Sequence, residues 1–356
     1  MKTTVKRLIL IPLCLALIAL GVFAGIRLYR LLAFTDGDFT FAVLSDGTAE
    51  IRRYKGNAAE LKIPSMMKKY RVTAIGAKAF SWRLRLGRVT VPEGVREIGE
   101  GAFTGCRAMT AVTLPRTLTV IGDKAFSGCR ALTSIDIPEG VVSVGGQAFD
   151  HCSALKAVSI PRSVTVMRAN PFTECAALTD ISLPPDHPTL EMLDGMLCDA
   201  AESRVICCPY EIAAGALMLP ETIRAIGEGA FQGCNRLTGI TLPGSLERLE
   251  PHAFSKCTGL VSVEIPPKVV VIGNSAFSGC TALASAELPE DLEEIGYLAF
   301  YNCPALTDIA LPESVTSIGS GAFIGCRSLT LTVSPGSRAE AYCLANGLNH
   351  QHGSAR

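Results

Sequence analysis

The sequence predicts a solenoid of stacked 23-residue coils, mainly β, with a short helical turn in each coil. Two observations carry this. Phe80, Phe103, Phe126, Phe149 and Phe172 recur at one constant interval of twenty-three positions, and Phe231, Phe254, Phe277, Phe300 and Phe323 repeat it. Nine cysteines (Cys106, Cys129, Cys152, Cys175, Cys234, Cys257, Cys280, Cys303 and Cys326) each stand at the third position after one of these phenylalanines. The step from Phe172 to Phe231 is longer, two coil lengths with thirteen positions added. A fixed period of this size means one supersecondary unit stacked on copies of itself.

The coil that starts at Phe126 shows the design. Ser134-Ile135-Asp136-Ile137 alternates and reads as a strand with Ile135 and Ile137 inward. Pro138 ends it, because proline has no N–H for a ladder. Val141 and Val144 mark a second inward segment, and Gly145 suits the corner. Ala148-Phe149 then reads as a short helical turn that drops the ring inside. One coil cannot bury its apolar face alone, so stability grows by stacking.

The cysteines obey the same frame. A thiol repeated in register reads as a ladder of small buried hydrophobes and weak donors. Zinc sites need converging ligands at C-x-x-C-type spacing, a pattern these cysteines lack.

Leu132-x-x-Ile135-x-Ile137 resembles the first half of the leucine-rich repeat. The unit Ile121-Gly122-Asp123-Lys124-Ala125-Phe126-Ser127-Gly128-Cys129, with its variants in the other coils, resembles the BspA-type leucine-rich repeat family from about Asp36 to Leu348. The cysteine precedes the leucine here, as in that type. The resemblance implies a bacterial, surface-exposed protein with a role in binding or adhesion; it names no ligand, since a fold does not fix a function.

Some coils drift. Arg83 stands where the first coil should have cysteine, Glu250 replaces a corner glycine, and Met167 with Asn170-Pro171 replaces the isoleucine and alanine before Phe172. After Phe323, Leu331 and Val333 fall out of the inward count, so the solenoid is expected to end there. The open ends need covering. Phe39 to Leu44 and Ala49 to Tyr54 around Asp46-Gly47 predict an N-terminal hairpin cap, leading to a first strand at Leu61-Lys62-Ile63-Pro64. Ser337 with Glu340 is a capping-box pattern and Gly347 a stop, which predicts a C-terminal helical cap. The added residues, about Pro185 to Ala214, read as a hairpin carried on one coil, with arms Met196-Leu197-Cys198 and Val205-Ile206-Cys207. Cys198, Cys207 and Cys208 lie off the ladder with His187 upstream; a disulfide or metal site there stands against packed free thiols, and the loose spacing favours the thiols. The expected organisation is an N-terminal segment over 1–34, the N-terminal cap and first coil over 35–70, repeats over 71–184, the insertion over 185–214, repeats over 215–333, and a C-terminal cap and tail over 334–356.

The chain opens with Lys2, Lys6 and Arg7 and then runs apolar from Leu8 to Ile26. That run as a helix spans roughly 28 Å, close to a bilayer core. Val22-Phe23-Ala24 resembles a signal-peptidase site, whereas Arg27 and Arg30 suit an uncleaved anchor. The basic flank places the rest of the chain outside under either reading: anchored at the cell surface, or secreted.

Composition narrows function. Of 356 residues, 48% are hydrophobic, and 33 basic residues balance 33 acidic ones. Nucleic-acid binding would leave a basic excess, so no nucleic-acid partner is expected. His151, His187, His252, His350 and His352 belong to no recognisable triad, and the glycines recur at coil corners rather than in a phosphate loop. The reading is a non-enzymatic chain with no cofactor and no metal. A surface binding or adhesion module for an extracellular protein or glycan is one class of role, and a structural scaffold or spacer is the other. The outward strand positions are small and polar, among them Ser262, Glu264, Glu287 and Asp308; Glu264, Glu287 and Asp308 fall on three successive coils and read as a stacked acidic column. Tyr297 and Tyr301 flank Phe300 and are the isolated aromatic contact candidates.

Overall fold

Each coil crosses two parallel sheets, as the alternation within the repeat requires. The structure, a computed structural model, describes residues 33–353. The N-terminal apolar segment lies outside the described residues. Among those described, no helix is long and apolar enough to cross a membrane. The front sheet is built from the Ile-x-Ile strands. Ser134–Asp136 pairs in parallel with Ala157–Ser159, which pairs with Asp180–Ser182. The back sheet is built from the shorter second segments. Glu97–Ile98, Val120–Ile121 and Ser143–Val144 lie side by side in parallel. Partners such as Ile121 and Val144, or Ile135 and Val158, are separated by the same interval as the phenylalanines, so the sequence period is the coil itself.

The Phe corner joins back sheet to front. It is a string of tight turns: Ala125 N–H bonds Gly122 O and Cys129 N–H bonds Phe126 O. Lys124 (φ 54°) and Gly128 (φ 74°) are left-handed, which stops the turns from winding into a helix. Between coils, Phe126 N–H reaches Ala148 O at 2.7 Å. Phe126 is fully buried, its ring 5.2 Å from Phe103 and 5.5 Å from Phe149, both at an interplanar angle of 2°.

The cysteine ladder has a specific partner. Cys129 Sγ donates to Phe103 O, and Cys152 Sγ to Phe126 O, each 26 residues back. Cys257, Cys280, Cys303 and Cys326 do the same to Phe231, Phe254, Phe277 and Phe300. The corner carbonyl of one coil is thus satisfied by the thiol of the next. Burial pushes the Cys106 thiol up to about 11 and those of Cys152 and Cys280 up to about 12.

Gly145 has a different role from the backbone freedom expected of it. It is not among the left-handed glycines. A Cβ there would lie 2.4 Å from Asp123 N, so glycine is required because successive coils touch at this point.

The inserted residues are inside the stack, not carried on its surface. Leu190–Leu193, Met196–Asp199 and Arg204–Cys207 form an antiparallel meander. Its last strand pairs in parallel with Ala225–Ile226 and opens the back sheet of the later coils. One side packs with the earlier core through Leu190, Leu197, Ile206 and Cys207. The other packs with the later core through Met196, Cys198, Val205 and Cys208. Cys198 and Cys207 therefore belong to different cores, and both are free, as is Cys208. His187 is held as a turn anchor: it donates to Pro161 O and accepts from Leu190 N.

Arg204 locks this joint. It is 4% exposed, and its guanidinium donates to Arg168 O at 2.7 Å and to Glu202 at 3.0 Å, with Asp199 at 3.6 Å. Asn170 explains the drifted coil beside it: its side chain donates to Gly229 O and accepts from Phe172 N, both at 2.8 Å. Lys256 and Glu174 add an ion pair across the same joint at 2.8 Å.

The described residues open with the same arrangement. Phe34–Asp36, Phe39–Val43 and Ala49–Tyr54 form an antiparallel meander whose last strand pairs in parallel with Tyr70–Ile75. At the other end the ladder does not stop where the count predicted. Thr330–Val333 pairs with Asp308–Ala310, placing Leu331 opposite Ile309, with Leu331 and Val333 buried. That coil is one residue shorter before its strand, which keeps the column. Helix Arg338–Asn346 follows, N-capped by Ser337 and ended by left-handed Gly347. A further strand, His350–His352, then joins the front sheet.

Candidate functional site

The front sheet presents the outward residues as the alternation requires, but in other columns than the sequence suggested. Ser262 lies opposite Ser285, and Glu264 opposite Glu287. Asp308 lies opposite Ser285, not Glu287. The acidic column is therefore a pair, Glu264 and Glu287, and Asp308 sits two residues away in the serine column that includes Ser262. Alternation shows which residues face out; only the distance from the coil's phenylalanine gives the column. Asp308 is eight residues after Phe300, while Glu287 is ten after Phe277.

Tyr297 and Tyr301 do stand free. They are 53% and 41% exposed, on the Phe corner rather than on the front sheet. A third exposed aromatic shares that edge and was missed in the sequence. Trp82, the chain's single tryptophan, is 59% exposed. It occupies the left-handed position two residues after Phe80 (φ 59°), where Gly105 and Gly128 stand in the next coils. Its identity at a glycine position was the available signal.

The surroundings of Trp82 form a shallow cleft of about 220 Å³, lined by Thr104, Gly105, Arg107, Ser127, Arg130 and His151 among others. The indole lies across Gly105, where a Cβ would be 2.6 Å from the ring. The Arg107 guanidinium sits 5.6 Å from the ring centroid, within cation–π range. Arg107 and Arg130 occupy the same position in adjacent coils. His151 is fixed by Asp150 at 2.8 Å, and Asp150 also accepts from Thr173 at 2.7 Å and Ser127 at 3.1 Å.

Two larger clefts lie along the back sheet. One, about 710 Å³, opens where that sheet breaks between Val166 and the meander, and includes Asp123, Lys124, Arg168 and Glu228. Asp123 is engaged there by Gly146 N at 2.9 Å. The other, about 470 Å³, covers the exposed pair Val270 and Val271. The distal tail holds a separate cluster, Glu340 with His350 and His352.

Two stretches, residues 73–192 and 210–330, match the model of the BspA type leucine-rich repeat region, in six copies. The chain belongs to that family. Among solved structures it is similar to a leucine rich cell surface protein from Faecalibacterium prausnitzii, at 28% identity and a TM-score of 0.57, over 90% of this chain and 98% of that one. The pneumococcal vaccine antigen PcpA shares the fold at 19% identity and a TM-score of 0.56, over 85% and 81%. So does a leucine-rich repeat protein from Eubacterium ventriosum, at 21% identity and a TM-score of 0.50, over 82% and 94%. A comparison with curated proteins found no match.

Proposed function

We propose that this chain is a non-enzymatic cell-surface binding or adhesion module that contacts an extracellular protein or glycan along its Phe-corner edge. The N-terminal apolar segment either anchors it to the membrane or is removed on secretion. The observation that carries the reading is the placement of the exposed aromatics. Trp82, Tyr297 and Tyr301 all project from the corner edge, and Arg107 and Arg130 stand beside Trp82. Binding energy in interfaces concentrates in Trp, Tyr and Arg. The front-sheet strands Ser262–Glu264, Ser285–Glu287 and Asp308–Ala310 offer only small and acidic side chains, Ser262, Glu264, Glu287 and Asp308 among them. That blandness supports the alternative, a scaffold or spacer without a dedicated ligand. The family membership and the cell-surface relative support the first reading.

The test is attachment of cells displaying the full chain to matrix-protein and glycan arrays. Trp82→Ala should weaken the strongest signal about 30-fold, the ~2 kcal/mol of an interface anchor. A Tyr297→Ala/Tyr301→Ala variant tests the second aromatic station. The set Ser262→Ala, Glu264→Ala, Glu287→Ala and Asp308→Ala should leave the signal unchanged. No array signal for the native chain would favour the scaffold; loss only in the front-sheet set would move the contact there.

A further inference from the structure

Two imidazoles and a carboxylate meet at the C-terminal end of the described chain. His350–His352 pairs in parallel with Thr330–Val333, with His350 opposite Leu331 and His352 opposite Val333. Residues two apart on a strand share a face. Glu340, in the first turn of helix Arg338–Asn346, reaches the same point. His352 Nε2 is 2.5 Å from Glu340 Oε1, and one donor atom from each of the three residues lies within 4.8 Å of the others.

A surface His–Glu pair alone would mean little. Here two of the three groups, His350 and Glu340, are also oriented by backbone bonds. His350 Nδ1 donates to Leu348 O at 3.2 Å, so in the neutral ring the lone pair is on Nε2. Metal-bound histidines are commonly oriented by such a bond to a backbone carbonyl. Glu340 Oε2 accepts from Gly336 N at 2.7 Å, leaving Oε1 turned to His352.

We propose that Glu340, His350 and His352 form a binding site for a zinc-class divalent ion. Two imidazole nitrogens and one carboxylate oxygen suit zinc, whereas calcium and magnesium prefer all-oxygen sets. Bonds of ~2.0–2.2 Å in a tetrahedron place donors about 3.4 Å apart. Rotation of the half-exposed His352 side chain brings it from its 2.5 Å contact with Glu340 to that spacing. The metal replaces the proton shared between His352 Nε2 and Glu340, and water fills the fourth position. The ion clamps the terminal strand to the helix whose Ala339 and Cys343 close the later core. This site is independent of the corner edge and of any partner bound there.

The experiment uses the full-length chain without an affinity tag, stripped with a chelator. Zinc chloride is titrated by calorimetry and cobalt chloride by visible absorption. One ion per chain is expected, with the intense visible bands of four-coordinate cobalt, no thiolate charge-transfer band, and a thermal midpoint that rises with zinc. His350→Gln/His352→Gln should abolish binding. Glu340→Gln, which keeps an acceptor for Gly336, should weaken it at least about tenfold, the range seen when a metal-site contact is lost. Absence of saturable one-to-one binding, a thiolate band, or uptake unchanged in the double variant overturns the proposal. The cobalt spectrum of the native chain reads the ligand type whether or not the variants fold.

Discussion

Phe126 lies flat between two parallel rings, and neither neighbouring coil can move into the space it fills. Phe126→Ala should cost ~3–5 kcal/mol in denaturant unfolding. A change under ~0.5 kcal/mol, the usual surface range, would contradict its place in the core. The ladder thiols make a second case. With Cys152 and Cys280 pushed up to about 12 by burial, almost no thiolate exists at pH 8. Iodoacetamide should leave both unmodified in the folded chain and alkylate both in urea, read by peptide mass; modification of the folded chain would contradict the ladder. The phenylalanine and cysteine columns were legible because each is one residue type at one interval. What each does to the next coil was less so. The carbonyl that Cys129 satisfies is 26 residues away, and the crowding that forces glycine at Gly145 comes from Asp123 of the preceding coil. A linear pattern holds the position but not the neighbour.

The meander over Leu190–Cys207 shows the same limit at the level of elements. Two of its arms were readable, yet their apolar character on both faces, in Met196-Leu197-Cys198 and Val205-Ile206-Cys207, signalled a strand pair with cores on both sides. A hairpin on the surface would have kept one polar face. The repeated Asp-Gly turns at Asp36-Gly37 and Asp194-Gly195, both with left-handed glycine, were the hint that the opening module recurs. Arg204 is the element's polar lock. Its removal leaves the carbonyls of Met167 and Arg168 without this donor and takes the cation from Asp199, whose carboxylate still accepts from Ala201 N and Glu202 N. Arg204→Ala should therefore cost ~1–3 kcal/mol, the range for buried acceptors left without a donor. A loss confined to a few tenths of a kcal/mol in thermal unfolding would show that the joint does not depend on it. The tail meets the same limit: that His350 and His352 come together with Glu340 follows from the strand pairing, which the sequence of the tail does not display.

Across the whole molecule, repetition and function separate. The columns that repeat, Phe, Cys, the inward aliphatics and the corner glycines, are consumed by stacking. The exposed aromatics on which the proposed contact rests are departures from the repeat: Trp82 at a glycine position, and Tyr297 and Tyr301 around Phe300. The proposed contact edge was half legible. The two tyrosines were identifiable beside their phenylalanine, whereas Trp82 becomes meaningful only when its coil is laid against Gly105. Above all, two stacks of coils share one internal sheet, Leu190–Cys207, packed on both sides. Hydrogen exchange of the full chain, resolved by peptide, is the decisive measurement. Amides of Arg204–Cys207 should exchange as slowly as those of Val120–Ile121 in the back sheet, because each strand is paired with a neighbour on both sides. Exchange of residues 196–207 at the rate of exposed loops, with both flanking stacks still protected, would mean that the sheet is not internal.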